Sequence, residues 1–285
     1  MKIFLAFGGQ KQVMQCFEEL KPQHLLISFA YVKTVNEIQK IFKNYWPQDL
    51  LIDSGAFSVW TKGNEINLKN YMLFCKSIQQ IVPKSTYVRF VNLDVLPGKF
   101  GERPTKQQRE DSAQAGWANM IIMRQENLLP IHVFHQHEDF KWLKTMLEFG
   151  LDYIGLSPAN DSSMKEKKTF LDQCFSITKT NVKTHGFAVT SHNQVLNYPF
   201  YSVDSSSWAA GAIYARTPTF KDGRIKMYAY KDKKVLSEFL ANTKKEEGLM
   251  TNYVKHYKEG IRAFMQLEAF ANQVWEKRGI KHNDN

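Results

Sequence analysis

Three aspartates, Asp53, Asp94 and Asp204, each end a short, mostly apolar run of the sequence. Such a run indicates a buried strand of a parallel sheet, and the residue after it lies at the strand's carboxyl end. Barrel and open-sheet enzymes keep their catalytic groups at this end. Carboxylates brought together there repel one another and are partly buried, which pushes their pKa values apart and suits acid, base and nucleophile roles.

Histidines and a glycine add to this pattern. His135 and His185 also fall at strand ends, and Gly55 follows Asp53 where the backbone must turn sharply. The spacing of His132, His135 and His137 suggests a metal site, but alternation along a strand points the first two to opposite faces. We therefore predict no metal and no cofactor. A carboxylate pair without a metal suits retaining substitution at an anomeric carbon.

Eight strand-like runs separated by mostly helical segments would position these residues. The runs are 2–7, 24–29, 50–53, 87–94, 131–135, 152–157, 182–187 and 200–203. This alternation predicts an α/β fold, a (β/α)8 TIM-like barrel, with an open doubly wound sheet as the competing architecture. No Gly-x-Gly-x-x-Gly follows the first run, which favours the barrel.

The C-terminal part of the chain has a different pattern. A strand at 225–230 and a long amphipathic helix at 249–274 are predicted there. We expect one domain over 1–285, with a barrel core at 1–215 and a strand and helical extension at 216–285 packed on the barrel.

Composition limits the class of protein. The chain has 285 residues, of which 43% are hydrophobic and 23% charged, and its formal charge is +10. Basic segments at 165–168, 221–234 and 277–281 suit a polyanionic partner, although charge alone does not separate nucleic-acid binding from a solvated lysine-rich surface. No apolar run suggests a membrane span or a signal peptide, so a cytoplasmic location is expected.

Five short motifs resemble the tRNA-guanine transglycosylase superfamily. Residues 53–57, Asp-Ser-Gly-Ala-Phe, are similar to its Asp-Ser-Gly-Gly-aromatic motif, and residues 92–94, Asn-Leu-Asp, resemble its purine-recognising strand. The other three are Gly155-Leu156, His185-Gly186 and Val203-Asp204. The Cys-rich zinc subdomain of the tRNA enzymes is missing, because no cysteine follows Cys174. The chain therefore looks most like the phage and bacterial DNA transglycosylases that insert 7-deazaguanines.

The resemblance implies a function and a set of roles. A glycosyltransferase would exchange guanine in DNA for a base of the preQ0 type, through a covalent intermediate on Asp204 with Asp53 as general acid and base. The target nucleotide would have to flip out of the duplex. The implied substrate-binding residues are Ser54, Phe57, Asp94, His135, Gly155, Leu156, His185 and Gly186. The candidate nucleic-acid-binding residues are Arg103, Lys106, Arg109, Lys221 and Arg224.

The expected partners are DNA in a bacterial or phage-infected cytoplasm and the free 7-deazaguanine base. No membrane partner is expected, and a homodimer is left open. Three alternatives also stay open: a related enzyme acting on RNA, a retaining nucleoside or glycoside hydrolase, and a basic barrel that binds nucleic acid without catalysis.

Overall fold

The computed structural model describes residues 1–211, 216–229 and 253–281, with the side chains of Lys11, Gln12, Ala229 and Tyr253 left out. The strands are β1 (Lys2–Phe7), β2 (His24–Ser28), β3 (Asp49–Asp53), β4 (Tyr87–Phe90), β5 (His132–His135), β6 (Tyr153–Ser157), β7 (Lys183–Gly186), β8 (Ser202–Ser205), β9 (Arg216–Lys221) and β10 (Arg224–Ala229). The helices are α1 (Lys11–Leu20), α2 (Val35–Ile41), α3 (Ala56–Trp60), α4 (Leu68–Ile81), α5 (Lys106–Gln125), α6 (Phe140–Glu148), α7 (Met164–Thr178), α8 (His192–Asn197) and α9 (Tyr253–Lys277), with a 3-10 turn at Ser207–Ala209.

The first eight strands form a closed parallel barrel. Their order in the sheet is β4-β3-β2-β1-β8-β7-β6-β5. A parallel bridge between Val91 and Ile131 joins the two edges of this sheet, and the backbone N–H of Asn92 donates to the Ile131 carbonyl at 2.9 Å. The predicted (β/α)8 TIM-like fold with a C-terminal helix is therefore confirmed.

Alternation along the strands separates an inner from an outer core. The inner cluster consists of Phe4, Leu26, Leu51, Val91, Ile131, Val133, Tyr153 and Tyr201. Their neighbours in sequence, such as Leu50 and Ile52, pack outward with the helices. Strands such as β1, β2 and β3 are therefore apolar on both faces, which explains why they read as continuous apolar runs rather than alternating ones.

Capping residues start several helices. The pairs that form capping boxes are Thr34 with Glu37 in α2, Thr105 with Gln108 in α5, and Ser163 with Glu166 in α7. The Ser191 side chain accepts from the Gln194 backbone N–H and begins α8. The three cysteines, Cys16, Cys75 and Cys174, are all free and buried.

The C-terminal elements pack against the barrel beside β1 and β8. The helix predicted at 249–274 runs from Tyr253 to Lys277, while residues 249–252 lie outside the described part. A Cβ on Gly260 would meet the Trp208 carbonyl oxygen at 1.9 Å, so only glycine lets α9 cross so close to the turn after β8. The predicted strand at 225–230 is β10, paired with a strand that the sequence pattern did not predict, β9. The division at residue 215 stays a prediction.

A buried charged cluster joins α9 to the amino end of the barrel. Lys2 Nζ lies 2.9 Å from Asp49 Oδ1, and His24 Nδ1 lies 2.9 Å from Asp49 Oδ2. His24 Nε2 lies 3.3 Å from Glu268 Oε1 on α9. Burial lowers the pKa of His24, but hydrogen bonds to Asp49 and Glu268 outweigh it and raise the pKa to about 9. This cluster is at the opposite end of the barrel from the predicted site.

The raised pKa of His24 predicts a loss of stability at alkaline pH. The stabilisation is complete below the unfolded pKa of 6.5 and disappears as the pH rises through about 9. A shift of this size corresponds to about 3 kcal/mol. Urea unfolding of wild type and His24→Gln should therefore show a free-energy difference that shrinks between these pH values, whereas the exposed His137→Gln should show no such change. A difference that stays constant with pH would contradict the role given to His24.

Candidate active site

Strand ends bring the three aspartates to one mouth of the barrel. Asp53 is the last residue of β3, Asp204 lies near the end of β8, and Asp94 follows β4 by four residues. All three are half-buried. The negative charges of Asp204 and Asp94 both raise the pKa of Asp53, so the three carboxylates act on one another electrostatically. The predicted gathering of carboxylates is present in the structure.

Local backbone geometry holds Asp53. Gly55 has a φ of 76°, and its N–H donates to Asp53 Oδ2 at 3.0 Å. A Cβ on Gly55 would lie 2.5 Å from both Ser28 Oγ and Ala30 Cβ, so glycine is required by its conformation and by this close approach. Ser28 is paired with Asp53 across the sheet and hydrogen-bonds its carboxyl.

The pKa of Asp53 is strongly raised. Burial raises it most, the hydrogen bond with Ser28 opposes this, and the charges of Asp204 and Asp94 add to the rise, so the pKa reaches about 7. A carboxyl with such a pKa can give or take a proton at neutral pH.

Two groups lie at the same oxygen of Asp204. His185 Nε2 lies 3.3 Å from Asp204 Oδ1, and the Ala188 N–H donates to it at 3.0 Å. Ala188 has a φ of 53°, an unfavourable conformation for a residue with a Cβ. The loop after β7 therefore keeps a strained backbone while its amide holds the Asp204 carboxylate.

Asp94 forms a second carboxylate–histidine pair. His135 Nε2 lies 3.1 Å from Asp94 Oδ2. Burial lowers the pKa of His135, but Asp94 and Glu138 outweigh it and raise the pKa to about 9, which favours an imidazolium. Burial raises the pKa of Glu138 to about 7, against the opposing charge of His135. Both Asp53 and Glu138 therefore titrate near neutrality at this mouth.

Phe187 forms the floor of the mouth. A Cβ on Gly155 would lie 2.6 Å from Phe187 Cε2 and 3.1 Å from a methyl of Val133, so the ring fills the space that Gly155 leaves. Phe187 also packs edge-on against His185, with ring centroids 4.5 Å apart. The floor is therefore apolar and lies next to the polar rim.

Several predicted substrate-binding residues do not face this mouth. Ser54 and His185 are buried, with 1% and 0% of their surface exposed, and Leu156 packs in the outer core. A Cβ on Gly186 would lie 2.9 Å from Phe200, so Gly186 serves outer-core packing. Of the predicted side chains, Asp94 and His135 lie at the mouth with Asp53 and Asp204, and Phe57 is 47% exposed on α3.

His132 and His135 point to different sides of strand β5, as the alternation of side chains along a strand predicted. His132 points outward, where its Nδ1 lies 3.1 Å from Asn92 Nδ2 and its ring packs on Trp117, while His135 points to Asp94. Burial lowers the pKa of His132 to about 4. Over the described ranges, no group of three or more His, Cys, Asp or Glu side chains is arranged to hold a metal ion. None of the described helices is long and apolar enough to span a membrane.

The predicted basic residues lie on two sides of the barrel. Arg103, Lys106 and Arg109 lie in or just after the loop that follows β4. Lys221 and Arg224 flank the turn between β9 and β10, a hairpin that packs on α9. Because α9 packs beside β1 and β8, and β4 is four strands from β8, the two groups do not form one surface. Residues 230–234 of the predicted basic segment lie outside the described part.

Three residues of the mouth were not predicted from the sequence. Ser28 ends β2 as Asp53 ends β3, so the same strand-end rule would have found it. Glu138 follows β5 by three residues, and its Oε2 accepts from the His135 amide at 3.2 Å. Phe187 follows β7 directly, but its side chain is apolar, and only polar residues at strand ends were taken as candidates for the site.

Comparison with known proteins finds no family model and no curated protein that matches this chain. The solved structures that resemble it include the following two. The first is the 4-hydroxy-2-oxoglutarate aldolase/2-deydro-3-deoxyphosphogluconate aldolase from TTHB1, with 8% identity, a TM-score of 0.40, and coverage of 91% of this chain and 94% of that chain. The second is the N-acetylneuraminate lyase from Fusobacterium nucleatum, with 12% identity, a TM-score of 0.39, and coverage of 94% and 91%. These likenesses concern the fold alone.

These findings correct the family assignment. Neither structure is a guanine transglycosylase; one is an aldolase and the other a lyase. No family model and no curated protein matches the chain, so the resemblance based on residues 53–57 and on Val203-Asp204 is withdrawn as a family assignment, and with it the exchange of guanine in DNA for a 7-deazaguanine. The RNA-directed and hydrolytic alternatives are withdrawn with it. The expectation of an enzyme is retained at that coarse level, without the glycosyltransferase class.

The predicted DNA partner is also corrected, and the mouth provides a physical reason. Its acidic side chains, Asp53, Asp94, Asp204 and Glu138, outnumber the histidines that contact them, so the local field disfavours phosphate. The space beside the Cα of Gly155 is filled by Phe187, and the space beside the Cα of Gly186 is filled by Phe200.

The floor can be tested by filling the space under Phe187. Gly155→Ala should displace the ring and destabilise the protein by about 1–3 kcal/mol, the usual cost of overpacking. Gly116→Ala in α5 is the matched control, because its Cβ would meet only ordinary contacts at 3.8 Å or more. Urea unfolding of both variants measures the difference. Equal stability of Gly155→Ala and wild type would mean that Phe187 does not occupy this position.

Proposed function

We propose that this protein is an enzyme that performs general acid–base catalysis on a small polar molecule, at a carbon next to a carbonyl group. The observation that carries the proposal is the meeting of Asp53, Asp94 and Asp204 at one barrel mouth, each with different hydrogen-bond partners. Carboxylates in unlike surroundings divide into acid and base. Isomerisation, elimination and carbon–carbon cleavage next to a carbonyl all need one group that removes a proton and another that supplies one.

Asp53 and Asp204 have the surroundings for these two roles. With a pKa of about 7, Asp53 is protonated in about half of the molecules at neutral pH and can act as the acid. Asp204 has the Ala188 N–H and the His185 ring at one carboxylate oxygen, and these two groups would hold it in place as the base. Asp94 and its partner His135 would bind a polar group of the substrate.

The charge at the mouth selects the class of substrate. Four acidic side chains surround it, and His135 balances one of them, so a neutral or cationic molecule is favoured over an anionic one. Phe187 would lie against an apolar face of the bound molecule. A cytoplasmic location stays a prediction.

The proposal assigns proton transfer to carboxylates rather than to an amine. The two lysines of the eight barrel strands, Lys2 and Lys183, lie at the amino ends of β1 and β7, which is the other end of the barrel. Lys2 pairs with Asp49, and the Lys183 ammonium lies 4.8 Å from the Tyr201 ring centroid.

Exchange of substrate hydrogen with D2O, followed by proton NMR, tests the proposal. The panel consists of neutral aldoses and ketoses, cationic amino ketoses, and anionic 2-oxo acids and sugar phosphates. We expect exchange next to the carbonyl of a neutral or cationic compound, and a loss of at least about a hundredfold in Asp53→Asn. If protonated Asp53 is required, the rate should fall above a pH of about 7.

The matched control is Asp152→Asn, an exposed aspartate just before β6 at the amino end of the barrel, which should exchange at the wild-type rate. The proposal fails if no neutral or cationic compound exchanges, or if Asp53→Asn and Asp152→Asn are equally active.

A further inference from the structure

A chain of hydrogen bonds runs from Asp204 into the interior of the barrel. His185 Nε2 lies 3.3 Å from Asp204 Oδ1, and His185 Nδ1 lies 2.5 Å from Ser202 Oγ. Ser202 Oγ is in turn hydrogen-bonded to the Tyr153 hydroxyl. Side chains from three adjacent strands, β6, β7 and β8, therefore form one series that ends at the mouth.

The series is buried except at Asp204, which is half-buried. His185 and Ser202 are fully buried, and Tyr153 is 8% exposed. Phe4 and Phe187 pack edge-on against the imidazole, with centroids 5.9 and 4.5 Å away, which keeps the ring in this orientation. Every proton in the series must therefore find its acceptor within it.

Counting protons gives one arrangement in which every donor has an acceptor. If neutral His185 carries its proton on Nε2, that N–H donates to the Asp204 carboxylate. Nδ1 then accepts from the Ser202 hydroxyl, whose oxygen accepts from the Tyr153 hydroxyl. All three donors point the same way, towards Asp204.

The other protonation states leave a buried donor unpaired. With a proton on Nδ1, His185 donates to Ser202 Oγ, and Ser202 either donates to the Tyr153 oxygen or accepts from the Tyr153 hydroxyl as well. In the first case the Tyr153 proton has no acceptor among the described residues, and in the second case the Ser202 proton has none. A neutral ring with its proton on Nδ1 would also turn the Nε2 lone pair towards the Asp204 carboxylate.

We propose that Ser202 and Tyr153 are positioning residues that hold His185 as a neutral imidazole with its proton on Nε2, so that Asp204 receives a hydrogen bond and remains the ionised partner of Asp53. The effect on catalysis rests on the proposed acid–base function, whereas the assignment of the His185 tautomer does not depend on that function. Ser202 has the larger effect because it touches the ring directly. Tyr153 acts through Ser202 by directing the serine proton towards Nδ1.

Nitrogen-15 NMR of the histidine side chains reads the tautomer directly. In wild type at pH 7, the His185 signals, assigned by their loss in His185→Gln, should show Nε2 protonated and Nδ1 unprotonated. Ser202→Ala should give a mixture of tautomers, and Tyr153→Phe a smaller shift in the same direction. A wild-type spectrum with a proton on Nδ1, or an unchanged tautomer in Ser202→Ala, would overturn the inference.

Activity supplies a second readout with matched controls. In the D2O exchange assay, kcat should fall about tenfold in Ser202→Ala and about threefold in Tyr153→Phe, while KM stays unchanged. A tenfold loss of kcat is the size expected when one buried hydrogen bond is lost. Ser205→Ala and Tyr198→Phe remove buried hydroxyls of the same kind whose partners, Ser207 and Asp172, lie outside the series. They should retain wild-type kcat. Equal losses in variants and controls would overturn the positioning role. Because the NMR result does not depend on turnover, the tautomer and the proposed function can fail separately.

Discussion

Mutual repulsion among half-buried carboxylates is the constraint on which the rest of this site depends. Asp53, Asp94 and Asp204 meet at one barrel mouth, and three full charges there would be costly. The structure resolves this by giving each a different partner. Asp94 has the imidazole of His135, and Asp204 has an imidazole and a backbone amide. Asp53, whose pKa the other two raise, is left to take up a proton near neutrality.

The barrel supplies these differences through elements far from the mouth. The imidazole that supports Asp204 is itself held by Ser202, two residues earlier on the same strand, and by rings packed inside the barrel. The helix α9 crosses the turn after β8 in direct contact, because Gly260 leaves room for the Trp208 carbonyl. Glu268 then fixes the same helix to the opposite end of the barrel. Stability and site geometry therefore share elements but use separate charged clusters.

Much of the fold and part of the site could be predicted from the sequence. Continuous apolar runs marked the eight strands, and their last residues marked Asp53 and Asp204 as groups at the mouth. Ser202 and Tyr153 could not be recognised, because their contacts depend on the register among three strands. The short helix α3 was missed because its five residues are too few for a helical period.

The family resemblance failed for a physical reason that the glycines make clear. Gly55 is needed for a left-handed turn against Ser28, Gly155 for the Phe187 ring, and Gly186 for contact with Phe200. These are requirements of packing within a barrel, so they can produce the same short motifs in enzymes of different chemistry.

The most direct test of the account is a carbon-13 NMR titration of the aspartate carboxyl groups, with Asp53 identified by its loss in Asp53→Asn. The account predicts that the Asp53 signal titrates near pH 7 in wild type and at a lower pH in Asp204→Asn, because the neighbouring negative charge is gone. An Asp53 signal that titrates near the ordinary aspartate value of 3.8 in both proteins would contradict the central claim.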